Sequence, residues 1–153
     1  PRLDLAIDGA DEIQEGTLHL IKGAGGALLR EKLVEAAAAR LIIIADEGKL
    51  VKQLGTRFSV PVEVVRFGWR CTAQRLRDLG CDPVPRQDGK GQPFVTDEGH
   101  YLLDCKFAPL ADAAGLALAI KGVIGVVEHG LFIGMADEAI VAGSGGVRIL
   151  RRG

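Results

Sequence analysis

Disulfide chemistry has little to work with in this sequence: of 153 residues only Cys71, Cys81 and Cys105 are cysteine, and no two of them form a C-x-x-C pair. An odd, scattered set of thiols supplies neither a disulfide framework nor a zinc ribbon, and it fits a reducing, cytoplasmic setting. Charge of one sign is also missing, since 19 Lys and Arg face 20 Asp and Glu for a formal net charge of −1. Such a chain has no field to gather phosphate backbones or anionic lipid, which argues against nucleic-acid and membrane partners. The longest apolar runs, 41–45 and 131–135, fall far short of the roughly 20 residues that span a bilayer. What remains is 48% apolar and 25% charged, the composition of one ordinary globular domain or two small ones. A chain of this length can bury roughly 70% of its unfolded surface without staples.

The pattern along the chain is strand, polar loop, strand, glycine turn, helix, strand. Residues 3–7 read as a short buried strand that delivers the polar loop Asp8-Gly9-Ala10-Asp11-Glu12, and 17–21 as a second strand. Lys22-Gly23-Ala24-Gly25-Gly26 bends the chain into a helix over 27–40, where Leu28, Leu29, Leu33, Val34, Ala36 and Ala37 recur at helical spacing. The aliphatic run 41–45 predicts a central parallel strand covered on both faces, ending at Asp46-Glu47-Gly48-Lys49. Beyond about residue 56 the order becomes strand 60–67, helix 70–79 closed by Gly80, proline-broken edge 82–86, hairpin strands 94–96 and 101–107, helix 110–120 and strand 126–133. That is a β-α-β-β-α-β outline, an α+β insert. Strands at 139–142 and 147–150, joined by Gly143-Ser144-Gly145-Gly146, end the pattern.

Three polar clusters fall at the carboxyl ends of expected parallel strands, the edge where open α/β sheets bind ligands. Asp8 and Asp11 are three residues apart around Gly9, so both carboxylates can turn over one small volume and move protons between hydroxyls; each also suits the plain role of a turn cap. Lys22 with Gly23, Ala24 and Gly25 exposes backbone N–H groups at a helix start, a place for an anion or a developing oxyanion, or simply a tight packing turn. Neither the P-loop nor the dinucleotide glycine pattern is matched. Glu31, expected in the second helical turn, is favoured in its ionised form by the helix terminus and opposed by apolar neighbours, which suits a general base; an exposed surface glutamate is the bland alternative. Lys49 could hold a phosphate as a point charge or be an ordinary surface lysine. His19, His100 and His129 have no metal-ligand spacing, so no metal or cofactor is expected.

Taken in order, D-G-A-D-E at 8–12, I-K-G-A-G-G-A-L-L-R-E-K at 21–32, I-A-D-E-G-K at 44–49, P-V-E-V at 61–64, V-T-D-E-G at 95–99 and G-L-F at 130–132 resemble ribose-5-phosphate isomerase of type A through almost the whole chain. The resemblance implies an α/β fold: a Rossmann-like parallel-sheet catalytic domain from 1–56 and 130–153, with an inserted ferredoxin-like α+β lobe at 57–129. It implies a cytoplasmic homodimer or homotetramer that interconverts D-ribose 5-phosphate and D-ribulose 5-phosphate through a cis-enediol, without metal or cofactor, in the pentose phosphate pathway. Glu31 matches the family's base. Asp8, Gly9, Ala10 and Asp11 match its substrate loop, Lys22 to Gly25 its lysine–glycine loop, and Lys49 a further substrate-binding lysine, with Asp8 and Lys22 sharing in catalysis. Ala24 stands where the family usually has glycine. The family's upstream strand and phosphate-gripping loop have no counterpart in these residues, so the chain is expected to be its C-terminal two-thirds. A non-catalytic sugar-phosphate sensor, which would not need Glu31, and an inactive truncation are the competing expectations.

Overall fold

Residues 2–153 are described by a computed structural model; Pro1, the first residue of the expected sheet domain, lies outside them. Three four-stranded sheets carry the chain. In the first, β1 (Ala6–Asp8), β4 (Leu41–Asp46) and β11 (Glu138–Gly143) run parallel, and β12 (Gly146–Arg151) pairs antiparallel with β11. The second is built from short strands: β2 (Glu12–Gln14), β3 (Leu20–Ile21), β5 (Leu50–Val51) and β10 (Leu131–Phe132), in the order β10-β3-β2-β5. The third is antiparallel, with β6 (Val60–Val64), β7 (Asp82–Pro85), β8 (Tyr101–Lys106) and β9 (Val126–His129) in the order β7-β8-β6-β9. Helix α1 (Leu28–Ala36) follows the glycine turn, while α2 (Trp69–Arg77) and α3 (Ala113–Lys121) pack with the third sheet. The mixed α/β class with a parallel sheet is as expected.

Several expected elements differ, each for a local reason. The loop read over 8–12 ends early because Glu12 starts β2. Its buried carboxylate accepts from the backbone N–H of Gly55, Arg57 and Phe58, at 2.7, 2.6 and 2.8 Å. The strand expected over 17–21 shrinks to two residues because the chain turns back at Leu18, whose φ is +54°. The single strand expected over 126–133 breaks at Gly130 into β9 and β10, which belong to different sheets. Of the hairpin arm at 94–96, only a bridge between Val95 and Tyr101 forms.

The largest departure concerns β4. It is central, but the described residues cover only one face: Leu41 and Ile43 are buried with Ala139 and Val141, while Ile44 is 52% exposed. Register places Ile7 beside Ile42, Ile140 beside Ile44 and Ile149 beside Ile140, so an apolar stripe crosses the open face. Helix α1 follows suit. It buries Leu28 and Glu35 and leaves Leu33 and Val34 exposed, the reverse of an amphipathic surface helix.

Candidate active site

The site grows from strand ends. Asp8 is the last residue of β1, and its Oδ1 accepts from the Gly9 N–H at 2.8 Å, which curls the loop back over the strand. Lys22 directly follows β3; its N–H donates to the Gly130 carbonyl at 2.9 Å, while Gly130 N–H donates to Pro61 at 2.8 Å. Gly130 has to be glycine, since a Cβ there would run into the Lys22 carbonyl and the Pro61 ring. Gly23 turns the chain at φ +111° and Gly26 at φ +87°, conformations open to glycine at little cost. Ala24 needs no positive φ, so its methyl is tolerated where the family usually has glycine. Its N–H donates to Asp11 Oδ2 at 2.9 Å, tying the two loops together.

These loops enclose one cavity of about 260 Å³, lined by Asp8, Gly9, Ala10, Asp11, Lys22, Gly23, Ala24, Gly25 and Glu31. Nine of the ten residues singled out in the sequence thus meet around one volume. Lys49 is not among its lining; it closes a 3₁₀ turn, with its ammonium 5.4 Å from the centre of the Phe58 ring. Glu31 lies in the first turn of α1, one turn earlier than expected.

At the floor sits the Lys22 ammonium, its side chain only 4% exposed. It donates to Asp8 Oδ2 at 2.9 Å and to the Gly9 carbonyl at 2.5 Å, and lies 3.4 Å from Glu35 Oε1 and 3.5 Å from Glu31 Oε2. Burial pushes the ammonium pKa down, but the Asp8 bond and the charges of Glu35, Glu31 and Asp8 outweigh it and leave it raised. Asp8 is pushed up by burial, yet the bonds from Lys22, Glu35 and Gly9 leave it lowered. Glu35 goes the other way: burial dominates the Lys22 charge and carries its carboxyl to about 7. A lysine charged across the working pH range and a carboxylate at its rim make a proton-transfer centre with a fixed cation.

Sequence reasoning missed three supports of this centre. Glu35 was legible in principle, because it lies four residues after Glu31 and seven after Leu28, on one helical face. Lys32 is a half-buried cation behind the site. Its ammonium donates to Glu128 at 3.0 Å and to the carbonyls of His129 and Leu131 at 2.6 and 2.9 Å, and it lies 4.5 Å from the Phe132 ring centre. Arg86 reaches over from the end of β7: it pairs with Asp104 at 2.6 Å and donates to the carbonyls of Gly23 and Ala24 at 2.9 and 3.0 Å. No sequence spacing announces a contact across more than sixty residues. Among the described residues no three metal-ligating side chains gather, and no helix is long and apolar enough to cross a membrane.

Comparison with known proteins identifies the family. Residues 1–146 match the family model for ribose 5-phosphate isomerase A (phosphoriboisomerase A). The chain is 67% identical over 152 residues to the ribose-5-phosphate isomerase A of Synechococcus sp. (strain JA-3-3Ab), covering 99% of this chain and 66% of that protein. With the Gloeobacter violaceus protein of the same name it shares 57% over 149 residues, 97% of this chain and 64% of the relative. It therefore spans just under two thirds of these relatives' length. Among solved structures, ribose 5-phosphate isomerase A from Methanocaldococcus jannaschii superposes with a TM-score of 0.94 at 40% identity, covering 99% of this chain and 67% of that one. A D-ribose-5-phosphate isomerase in complex with phospho-erythronic acid superposes equally well, TM-score 0.94 at 36% identity, over 99% of this chain and 66% of the other. By fold, by loop sequence and by likeness over nearly its whole length, this chain belongs to the ribose-5-phosphate isomerase A family.

Proposed function

We propose that this chain carries the proton-transfer centre of an aldose–ketose isomerase that interconverts D-ribose 5-phosphate and D-ribulose 5-phosphate in the pentose phosphate pathway. The observation that carries the reading is the Glu31 carboxylate 3.5 Å from the buried Lys22 ammonium over one small polar cavity. With the open-chain aldose in that cavity, Glu31 takes the proton from C2 and returns it to C1, and the intermediate is a cis-enediol. Lys22 balances the charge that grows on the carbonyl oxygen, held in place by Asp8 and the Gly9 carbonyl so that no reorganisation is needed as the charge develops. Asp8, lowered and one-third exposed, accepts and returns hydroxyl protons and assists ring opening. Asp11 holds the glycine loop through Ala24. The compound bound by the related structure, phospho-erythronic acid, ends in a planar carboxylate that imitates an enediolate, which suits an ammonium in this position.

Residues 1–56 with 130–153 form the catalytic unit and 57–129 an inserted lobe; Arg86 bracing Gly23 and Ala24 supports a role for the lobe in holding the loop. Lys49 serves as a further substrate contact once the sugar phosphate is bound. The uncovered apolar stripe across β4 supports assembly as a homodimer or homotetramer, and three free thiols suit a cytoplasmic setting.

A coupled assay with ribose 5-phosphate tests this. Glu31→Gln is expected to reduce kcat by about 10²–10⁴-fold while leaving thermal unfolding and binding of a four-carbon aldonate phosphate nearly unchanged. Substantial turnover by the variant removes Glu31 from the role of base; binding without turnover by the parent chain favours a sensor.

A further inference from the structure

Glu35 is the side chain the mechanism leaves unused. Its side chain is 2% exposed, and among the described residues neither carboxylate oxygen has a hydrogen-bond donor. The nearest cation, Lys22, lies 3.4 Å away with its short bonds directed to Asp8 and Gly9. Burial without a partner strongly disfavours a charged carboxylate, so the group needs another source of stabilisation.

The surroundings supply one. From the end of β1, Asp8 shares the Lys22 ammonium with Glu35, its Oδ2 2.9 Å and Glu35 Oε1 3.4 Å from the same nitrogen. From the β3 exit comes Lys22, and from α1 itself come Glu31, which shares Lys22, and Lys32, whose charge also reaches Glu35. Behind Lys32 stand Glu128 and His129 of β9, and the Phe132 ring of β10 lies within 5.6 Å of both ammonium groups. Three carboxyl groups thus crowd one lysine, and with all three ionised a single cation would face three anions. One proton between Glu35 and Asp8 removes the conflict: a carboxyl O–H on Glu35 donates to the Asp8 carboxylate, and both oxygens at the contact are satisfied.

We propose that Glu35 is a positioning residue that holds this proton, bonds through it to Asp8, and so fixes Asp8 and Lys22 in the arrangement Glu31 works against. The inference rests on the isomerase reading for its catalytic consequence, but its physical core does not. The proton stays within the pair throughout turnover, so Glu35 touches no substrate atom. Deprotonation of Glu35 near neutrality agrees with the same arrangement.

The test combines carbon-13 NMR titration of glutamate and aspartate carboxyls with the isomerase assay, on the parent chain, Glu35→Gln and Glu35→Leu. In the parent, Glu35 is expected to titrate near neutral pH, and Asp8 to show a second inflection at the same pH. Glu35→Gln keeps a donor of the same shape and should abolish the Asp8 inflection while holding kcat within about threefold. Glu35→Leu, checked for a native amide spectrum, should lose at least about tenfold in kcat with little change in KM. An ordinary acidic titration of Glu35, an Asp8 inflection that persists in Glu35→Gln, or equal kcat for the Gln and Leu variants overturns the proposal. If the parent chain proves inactive while the two carboxyls titrate together, the isomerase reading fails and the shared proton stands; normal activity with independent titrations is the opposite result.

Discussion

At the residue scale, buried ionisable groups decide how this protein responds to change. Glu12 is fully buried and accepts three backbone N–H groups from the segment between β5 and β6. Glu12→Ala leaves those donors without a partner and should cost roughly 3 kcal/mol or more, read as a lowered urea midpoint. Glu12→Gln, which keeps one acceptor oxygen, should cost less. The pH response turns on two groups that act in opposite directions. Burial and the Lys32 charge hold His129 at about 4, below its ordinary 6.5. The unfolded chain therefore binds the extra proton between those values, and stability is lost as pH falls through the interval. Glu35, held at about 7 above its ordinary 4.5, binds its proton more tightly when folded, so stability is lost as pH rises from 4.5 through 7. Each contributes roughly 3 kcal/mol over its window, and between pH 5 and 6.5 they nearly cancel. Urea unfolding of the parent should be flat there, whereas His129→Gln should lose stability with rising pH.

At the element scale, the site is a meeting of short pieces held by backbone bonds. Lys22 is aimed by β3, and β3 is pinned through Gly130 at the break between β9 and β10. Gly130→Ala drives a methyl against the Lys22 carbonyl and the Pro61 ring. Overpacking of that kind costs about 1–3 kcal/mol. Because the displaced group is the lysine proposed to balance the developing charge, kcat should fall by up to about 100-fold while the far-UV spectrum stays native. Helix α1 shows the same priority of site over surface. Leu33 and Val34 point away from the core so that Leu28, Glu31 and Glu35 can face the sheet and the cavity. The glycine turn before it is held from the other side, where Arg86 grips two of its carbonyls and Phe94 lies against Gly26.

At the scale of the whole molecule, the described residues cover the first sheet on one face only. Ile7, Ile44, Val147 and Ile149 are 58, 52, 69 and 55% exposed, and register places them with Ile42 and Ile140 on one side. Burying one such side chain is worth about 1.5–3 kcal/mol, so covering this face is favourable, whether a further element of a longer chain or a second copy supplies the cover. Sedimentation velocity should show assembly that grows with concentration, and Ile44→Lys in the middle of the stripe should shift the distribution toward monomer without unfolding the chain. A monomer at all concentrations would show that the face is tolerated in water.

The loops that line the cavity were legible in the amino-acid order, because their signals are local. A carboxylate pair around Gly9, a lysine before three small residues, and a glutamate nine residues on each follow a short strand or turn whose pattern can be read within ten residues. The mixed α/β class was legible for the same reason, since aliphatic runs and glycine turns report on neighbours in sequence. What only the tertiary structure decided depends on partners far apart in the chain. The bare face of β4 could not be seen because an isoleucine run reads alike with one covered face or two. Glu35 and Glu12 looked like ordinary charged residues until folding removed their water, and burial, which no short window records, turned one into a proton holder and the other into the anchor of a backbone loop.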